Sequence, residues 1–356
     1  MEGGIAFSTR APRVVVVILN WNGVADTLEC LHSVRRQQYA NLEVLVIDNG
    51  SRPREADEIE ASALTTHVIR HLTNVGYAAG NNIGMRYALA QSADYVWLLN
   101  NDTVVGPGCL ATLVAAGEAD DRVGLLSPVI SDYASRGAIK FVGTVLDFVR
   151  QEASRCVMSS TDVRPVRAGE QLALWGTALL IKRRVMERTG LLDERYFAYM
   201  EDWDYSVRAI RSGFTTQVVS GALLYHKEGR SLGGLQSPVR EYLVARNWYL
   251  FWSTHLTGWR RWGHRLRYVS WVLARTASAR EQGNQALADH SLSAGWDALR
   301  GHWGPWEQRG RLPEGLRRFL DRWVLGWHPY LWIRLLAGDL RGVSAEGLRR
   351  VLRLRG

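Results

Sequence analysis

Asn100-Asn101-Asp102 stands directly after an apolar run, Tyr95-Val96-Trp97-Leu98-Leu99. Open α/β sheets bind their ligands beyond the carboxyl ends of the strands. A carboxylate beside two amides there offers oxygen ligands to a hard cation, with room for a diphosphate. An Asx turn after a strand explains the same residues without a ligand. Three other polar turns share the setting: Asn20-Trp21-Asn22-Gly23, Asp48-Asn49-Gly50-Ser51 and Asn74-Val75-Gly76-Tyr77. Asp48 can accept a hydrogen bond from the ring N–H of a uracil or thymine, or simply close an Asp-Asn-Gly turn. The stretch 74–82 holds small residues and amides at a helix start, where backbone N–H groups can meet an anion or be capped by the asparagines. Together the four turns read as one site for a nucleotide-linked substrate.

Two further groups carry protons or charge. Met200-Glu201-Asp202-Trp203-Asp204 sets carboxylates among aromatics, so one of them can have a raised pKa and serve as a general base. Acidic residues in the first turn of a helix are also favoured by its dipole, which is the bland explanation. His226 follows the apolar run Ala222-Leu223-Leu224-Tyr225; it can complete a metal site, contact a phosphate or be structural.

The elements that must position these residues alternate. Strands are predicted at Arg13–Leu19, Leu42–Asp48, His67–His71, Tyr95–Leu99 and Val123–Leu126. Helices are predicted at Ala25–Gln38, Glu55–Ala63, Gly80–Gln91 and Leu110–Gly117. Such βαβα order argues for an α/β fold with a mostly parallel central sheet. Beyond Pro128 the pattern loosens, with strands expected at Ile139–Val149 and Ala173–Lys182 and helices at Lys182–Thr189 and Asp202–Arg211. There is no Gly-x-Gly-x-x-Gly after the first strand and no Gly-Lys-Ser/Thr, which disfavours a dehydrogenase or a P-loop enzyme.

The order and spacing of these segments are more specific than any one of them. The chain resembles the inverting glycosyltransferases of family 2 with the GT-A fold, in the rhamnosyltransferase-like branch. The resemblance rests on Val17–Asn22, Val46–Ser51, Asn74–Asn82, Leu99–Thr103, Trp175–Ile181, Gly190–Phe197 and Met200–Asp204, and it spans residues 13–232. It implies a nucleotide-sugar donor, dTDP-rhamnose first, with other UDP, dTDP or GDP sugars as alternatives. The acceptor would be a hydroxyl of a glycan or lipid-linked glycan in cell-surface polysaccharide synthesis. It places Asn20, Asn22, Asp48, Asn74, Gly76, Gly80, Asn81, Asn100 and Asn101 on the donor side. Trp175, Gly176 and Trp203 fall on the acceptor side. Asp202 would be the base, with Glu201 its substitute, and Asp102 and His226 would hold Mg²⁺ or Mn²⁺. Many relatives have two carboxylates in the metal motif; with Asn100 and Asn101 this chain has one, which weakens cation binding. An inactive scaffold that only binds nucleotide sugar or partners is the competing reading.

Residues 240–356 differ in kind. They hold 20 Arg, no Lys and 9 acidic residues, a net +11, against −2 for residues 1–239; they also hold 11 of the 15 Trp. The expected division is an N-terminal stretch 1–12, a catalytic domain 13–235 and a helical region 236–356. Arg and Trp together suit a membrane interface, and a lipid-linked acceptor would make that useful. The broken apolar run Trp323–Leu336 is too short to span a bilayer and can lie in its interface. No groove-reading motif accompanies the basic residues, so nucleic acid is not expected; oligomerisation stays open. Three cysteines at unmatched spacings and an N-terminus without a signal pattern point to the cytoplasm, with peripheral attachment to the cytoplasmic face of the membrane.

Overall fold

The computed structural model describes residues 10–134, 140–157, 167–227 and 237–324. It divides into two compact units, at residues 231 and 232. The first carries β1 (Val14–Asn20), α1 (Val24–Arg35), β2 (Leu42–Asn49), α2 (Glu55–Ala61), β3 (His67–His71), α3 (Gly76–Ala90) and β4 (Tyr95–Asn100). There follow β5 (Thr103–Val105), α4 (Cys109–Ala119), β6 (Val123–Asp132), β7 (Lys140–Asp147), β8 (Glu152–Val157) and β9 (Glu170–Ala173). It closes with β10 (Ala178–Lys182), α5 (Arg183–Thr189), α6 (Glu201–Arg211) and β11 (Thr215–His226).

The strands form one sheet in the order β3-β2-β1-β4-β10-β6-β11-β5, with β7, β8 and β9 attached through β6. The pairs β3–β2, β2–β1, β1–β4 and β6–β11 are parallel, whereas β10 is antiparallel to both neighbours. Alternation along β1 explains the layers. Val14, Val16 and Ile18 pack with Leu31, Val34, Leu110 and Leu113 of α1 and α4. Val15 and Val17 pack on the other side with Ala78, Met85, Met186 and Tyr205 of α3, α5 and α6. A sheet covered on both faces needs strands apolar at every position, and β1 is Val-Val-Val-Val-Ile-Leu-Asn.

The order reverses between β1 and β4: β2 and β3 extend to one side and α3 returns the chain to the other. Parallel pairing registers Asn20 with Asp48 and Leu19 with Asn100, so the polar ends of three strands lie side by side at the switch point.

Several boundaries depart from the sequence expectation. The strand expected at Ala173–Lys182 is the end of β9 and the whole of β10, separated by Leu174-Trp175-Gly176-Thr177. The strand at Val123 runs on to Asp132 through Pro128, which faces Val219 beside a register shift, where a residue without an N–H is tolerated. Helix α3 starts at Gly76 rather than Gly80, and β5 and β8 were not foreseen.

The second unit is helical: α7 (Pro238–His255), α8 (Gly258–Glu281), α9 (Gln285–Arg300) and α10 (Glu314–Phe319). Ser237 caps α7, its hydroxyl accepting from the Arg240 N–H at 3.1 Å with Pro238 at the first helical position. Tyr268 and Val272 of α8 pack with Leu292 and Ala298 of α9. Gly295 lets the helices approach, since a Cβ there would lie 2.8 Å from Val272. The buried Tyr242 hydroxyl donates to Asp297 at 2.6 Å, pinning α7 to α9. No described helix is long and apolar enough to cross a membrane. Most of the run Trp323–Leu336 lies outside the described residues.

Candidate active site

Asp102 occupies the turn between β4 and β5. Because β5 pairs antiparallel with β11, Thr103 falls opposite His226. The pairing brings His226 Nε2 to 3.1 Å from Asp102 Oδ1, with side chains 12% and 4% exposed. The Lys227 N–H donates to the Asp102 carbonyl at 3.0 Å. The Lys227 ammonium reaches Asp26 and Glu29 of α1, locking the end of β11 over that helix. Adjacent ligands of an octahedral cation with bonds of about 2.1 Å stand about 3 Å apart, so Asp102 and His226 fit one ion. The His226 Nδ1 atom is buried without a partner. Among the described residues no third His, Cys, Asp or Glu joins them, so the remaining positions would belong to water and donor oxygens.

The residues expected on the donor side divide between scaffold and surface. Asn20 is wholly buried and its amide is used internally. Its Nδ2 donates to Asp48 and Ser51 at 3.0 Å and Glu55 at 3.2 Å, while its Oδ1 accepts from Thr27 at 2.7 Å. Asn20 therefore orients Asp48. Asn22 takes a left-handed φ of 54° and accepts from the Arg52 N–H at 2.9 Å, bracing the Ser51 turn. Asn101 donates to Thr27 at 3.0 Å, tying the Asp102 turn to the start of α1.

The start of α3 is less open than expected. Asn74 Oδ1 accepts from the Gly76 N–H at 2.8 Å and from Asn49 at 3.0 Å, and the Phe197 carbonyl accepts from the Ala78 N–H at 3.2 Å. Gly76 (φ 89°) must be glycine because a Cβ would lie 2.5 Å from that carbonyl. Gly80 packs on β1, where a Cβ would lie 2.5 Å from Leu19. Asn81 donates to the Tyr77 carbonyl at 2.9 Å, and its own buried Oδ1 has no partner.

Around the residues expected on the acceptor side, α6 begins after a strained run: Phe197, Tyr199 and Met200 all have positive φ, at 62°, 73° and 71°. Each such residue costs about 1 kcal/mol or more, a strain that concentrates at working sites. The run delivers Asp202, whose Oδ2 accepts from the Gly176 N–H at 2.9 Å and Oδ1 from the Trp203 N–H at 2.8 Å. Burial pushes the Asp202 carboxyl up to about 6, with those N–H groups restraining the rise. Burial and the charges of Asp202 and Asp204 push Glu201 well above the usual carboxylate range, and its Oε2 has no partner. The Trp175 indole donates to Thr144 at 2.9 Å, fixing the turn that carries Gly176.

Tyr77, not singled out from the sequence, joins these parts. Its hydroxyl donates to the Gly176 carbonyl at 2.6 Å. Burial, then the charges of Glu201, Asp202 and Asp102, drive its pKa well up, so it stays neutral between the two acidic centres. An aromatic in the first turn of a Gly/Asn-rich helix was the one available signal.

The family model described as glycosyltransferase like family 2 matches residues 12–240. An N-acetylglucosaminyl-diphospho-decaprenol L-rhamnosyltransferase of Mycobacterium tuberculosis is 27% identical over 271 residues, covering 70% of this chain and 82% of that protein. A dTDP-rhamnosyl transferase, RfbF, of Shigella flexneri is 21% identical, covering 67% and 79%. The fold is shared with a mannosyltransferase of Pyrobaculum calidifontis solved with GDP-Man and Mn²⁺, at TM-score 0.50 and 16% identity over 96% of this chain and 88% of the other.

Proposed function

Because this chain belongs to glycosyltransferase family 2 it is a nucleotide-sugar transferase, and we propose that it moves rhamnose from dTDP-rhamnose to a hydroxyl of a lipid-linked glycan, with inversion. The sugar and the acceptor follow from what the two rhamnosyltransferases are named for. The observation that carries the chemistry is Asp202: a half-buried carboxylate raised to about 6 and aimed by two backbone N–H groups. Both oxygens keep a lone pair free, so Asp202 can take the acceptor proton as the hydroxyl attacks the anomeric carbon and the nucleoside diphosphate departs.

Asp48, held by Asn20, binds the base and ribose of the donor. Asp102 and His226 would hold Mg²⁺ or Mn²⁺, which offsets the charge gathering on the departing diphosphate. Tyr77 and Gly176 set the position of Asp202 rather than touching the sugar. The helical unit supports peripheral attachment at the cytoplasmic face, where a lipid-linked acceptor would be met. A panel of nucleotide sugars tests the reading, with released nucleoside diphosphate as readout, with and without Mg²⁺ or Mn²⁺. Selective, cation-stimulated turnover of dTDP-rhamnose is expected; turnover of another donor alone would overturn the choice of sugar.

A further inference from the structure

Helix α8 has two apolar faces and uses one. His264, Tyr268 and Val272 recur every four residues and are buried, and the Tyr268 hydroxyl donates to the Ala245 carbonyl of α7 at 3.0 Å. On another face, Trp259, Trp262 and Leu266 follow one another at three- and four-residue spacing, 82%, 69% and 69% exposed. A run of large apolar side chains turned to solvent marks a contact surface.

The charges along α8 are as uneven as the burial. Toward the end of α8, Arg275 pairs with Glu241 and Arg280 with Asp321. At its start, Arg261, Arg265 and Arg267 form no ion pair with any described residue. The Arg265 guanidinium lies 6.0 Å from the Trp262 ring centre. The one acidic residue of α8 is Glu281, at the far end.

We propose that this face is the docking surface for an anionic bilayer, with Trp259, Trp262 and Leu266 entering the headgroup boundary and Arg261, Arg265 and Arg267 meeting lipid phosphates. Indole rings favour the membrane–water boundary, and arginine stems lie along apolar surface while their heads stay at phosphate level. The helix is too charged to cross the bilayer and lies in its plane. The inference rests on the peripheral attachment proposed above and gives it an address of six side chains.

The test is co-sedimentation of the full chain with vesicles of phosphatidylcholine alone or mixed with phosphatidylglycerol. Binding to the mixed vesicles only is expected. The triple variant R261Q/R265Q/R267Q should weaken it on the order of 100-fold, at about 1 kcal/mol per arginine. The charge-neutral variant W259S/W262S/L266S should weaken it as strongly. Both should keep wild-type hydrolysis of the soluble donor, so loss of docking is distinct from failure of the transferase reading. Absence of wild-type binding, or undiminished binding by both variants, would overturn the proposal. So would a wild-type dimer that either variant dissociates without any vesicle binding, or equal affinity of the same residues for random oligonucleotides.

Discussion

The two acidic centres of the catalytic unit are built in opposite ways. Asp102 sits at a strand end with a histidine across the next strand pair, a carboxylate facing an imidazole. Asp202 sits at a helix start, held by backbone N–H groups and raised by burial. The first is suited to hold a charged group in place and the second to change its own charge during a reaction. Tyr77, neutral and partly buried, feels the charge of both.

Substitutions should reveal that difference in order of size. D202N removes the carboxylate proposed as the base, and kcat should fall by about 10³-fold or more while donor binding persists. Loss of donor binding in that variant would merge the two centres into one. D102N should behave in the reverse sense: weaker donor and cation binding, seen as a rise in KM for the donor and in the cation concentration needed, with a fall in kcat/KM of about 10²-fold. Y77F leaves both acids but releases the Gly176 turn, so a fall in kcat of about tenfold with little change in donor KM is expected. E201Q should be the mildest. Burial disfavours the charged form of Glu201, an amide keeps its shape without that charge, and turnover should stay within about twofold. A large loss in E201Q would mean that Glu201, not Asp202, is the base.

Much of this was legible in the sequence where one physical demand acted alone. The strands β1, β2 and β4 are buried on both faces and, Glu43 of β2 apart, read as apolar runs up to their polar ends. Their polar ends then had to gather at the switch point, as Asn20, Asp48 and Asn100 do. The misreadings fall where two demands compete. Ala173–Lys182 looks like one strand, but the Gly176 N–H goes to Asp202 instead of the ladder and the strand breaks there. Gly76 looks like a loop residue and Gly80 like the first of the helix; both are inside α3, one for the Phe197 carbonyl and one for Leu19. Tyr77 was missed because its partner, Gly176, lies 99 positions away, and spacing carries no trace of that contact. The strand β8, Glu-Ala-Ser-Arg-Cys-Val, has no apolar periodicity and exists through its pairing with β7.

The central claim is that Asp202 acts as the base, and the pH dependence of kcat tests it most directly. Only the ionised carboxylate can accept the acceptor proton, so activity must be lost as pH falls through the folded pKa. The account predicts a plateau above about 6 and a decline approaching tenfold per pH unit below it. A rate independent of pH across this range, with the chemical step limiting, would contradict it.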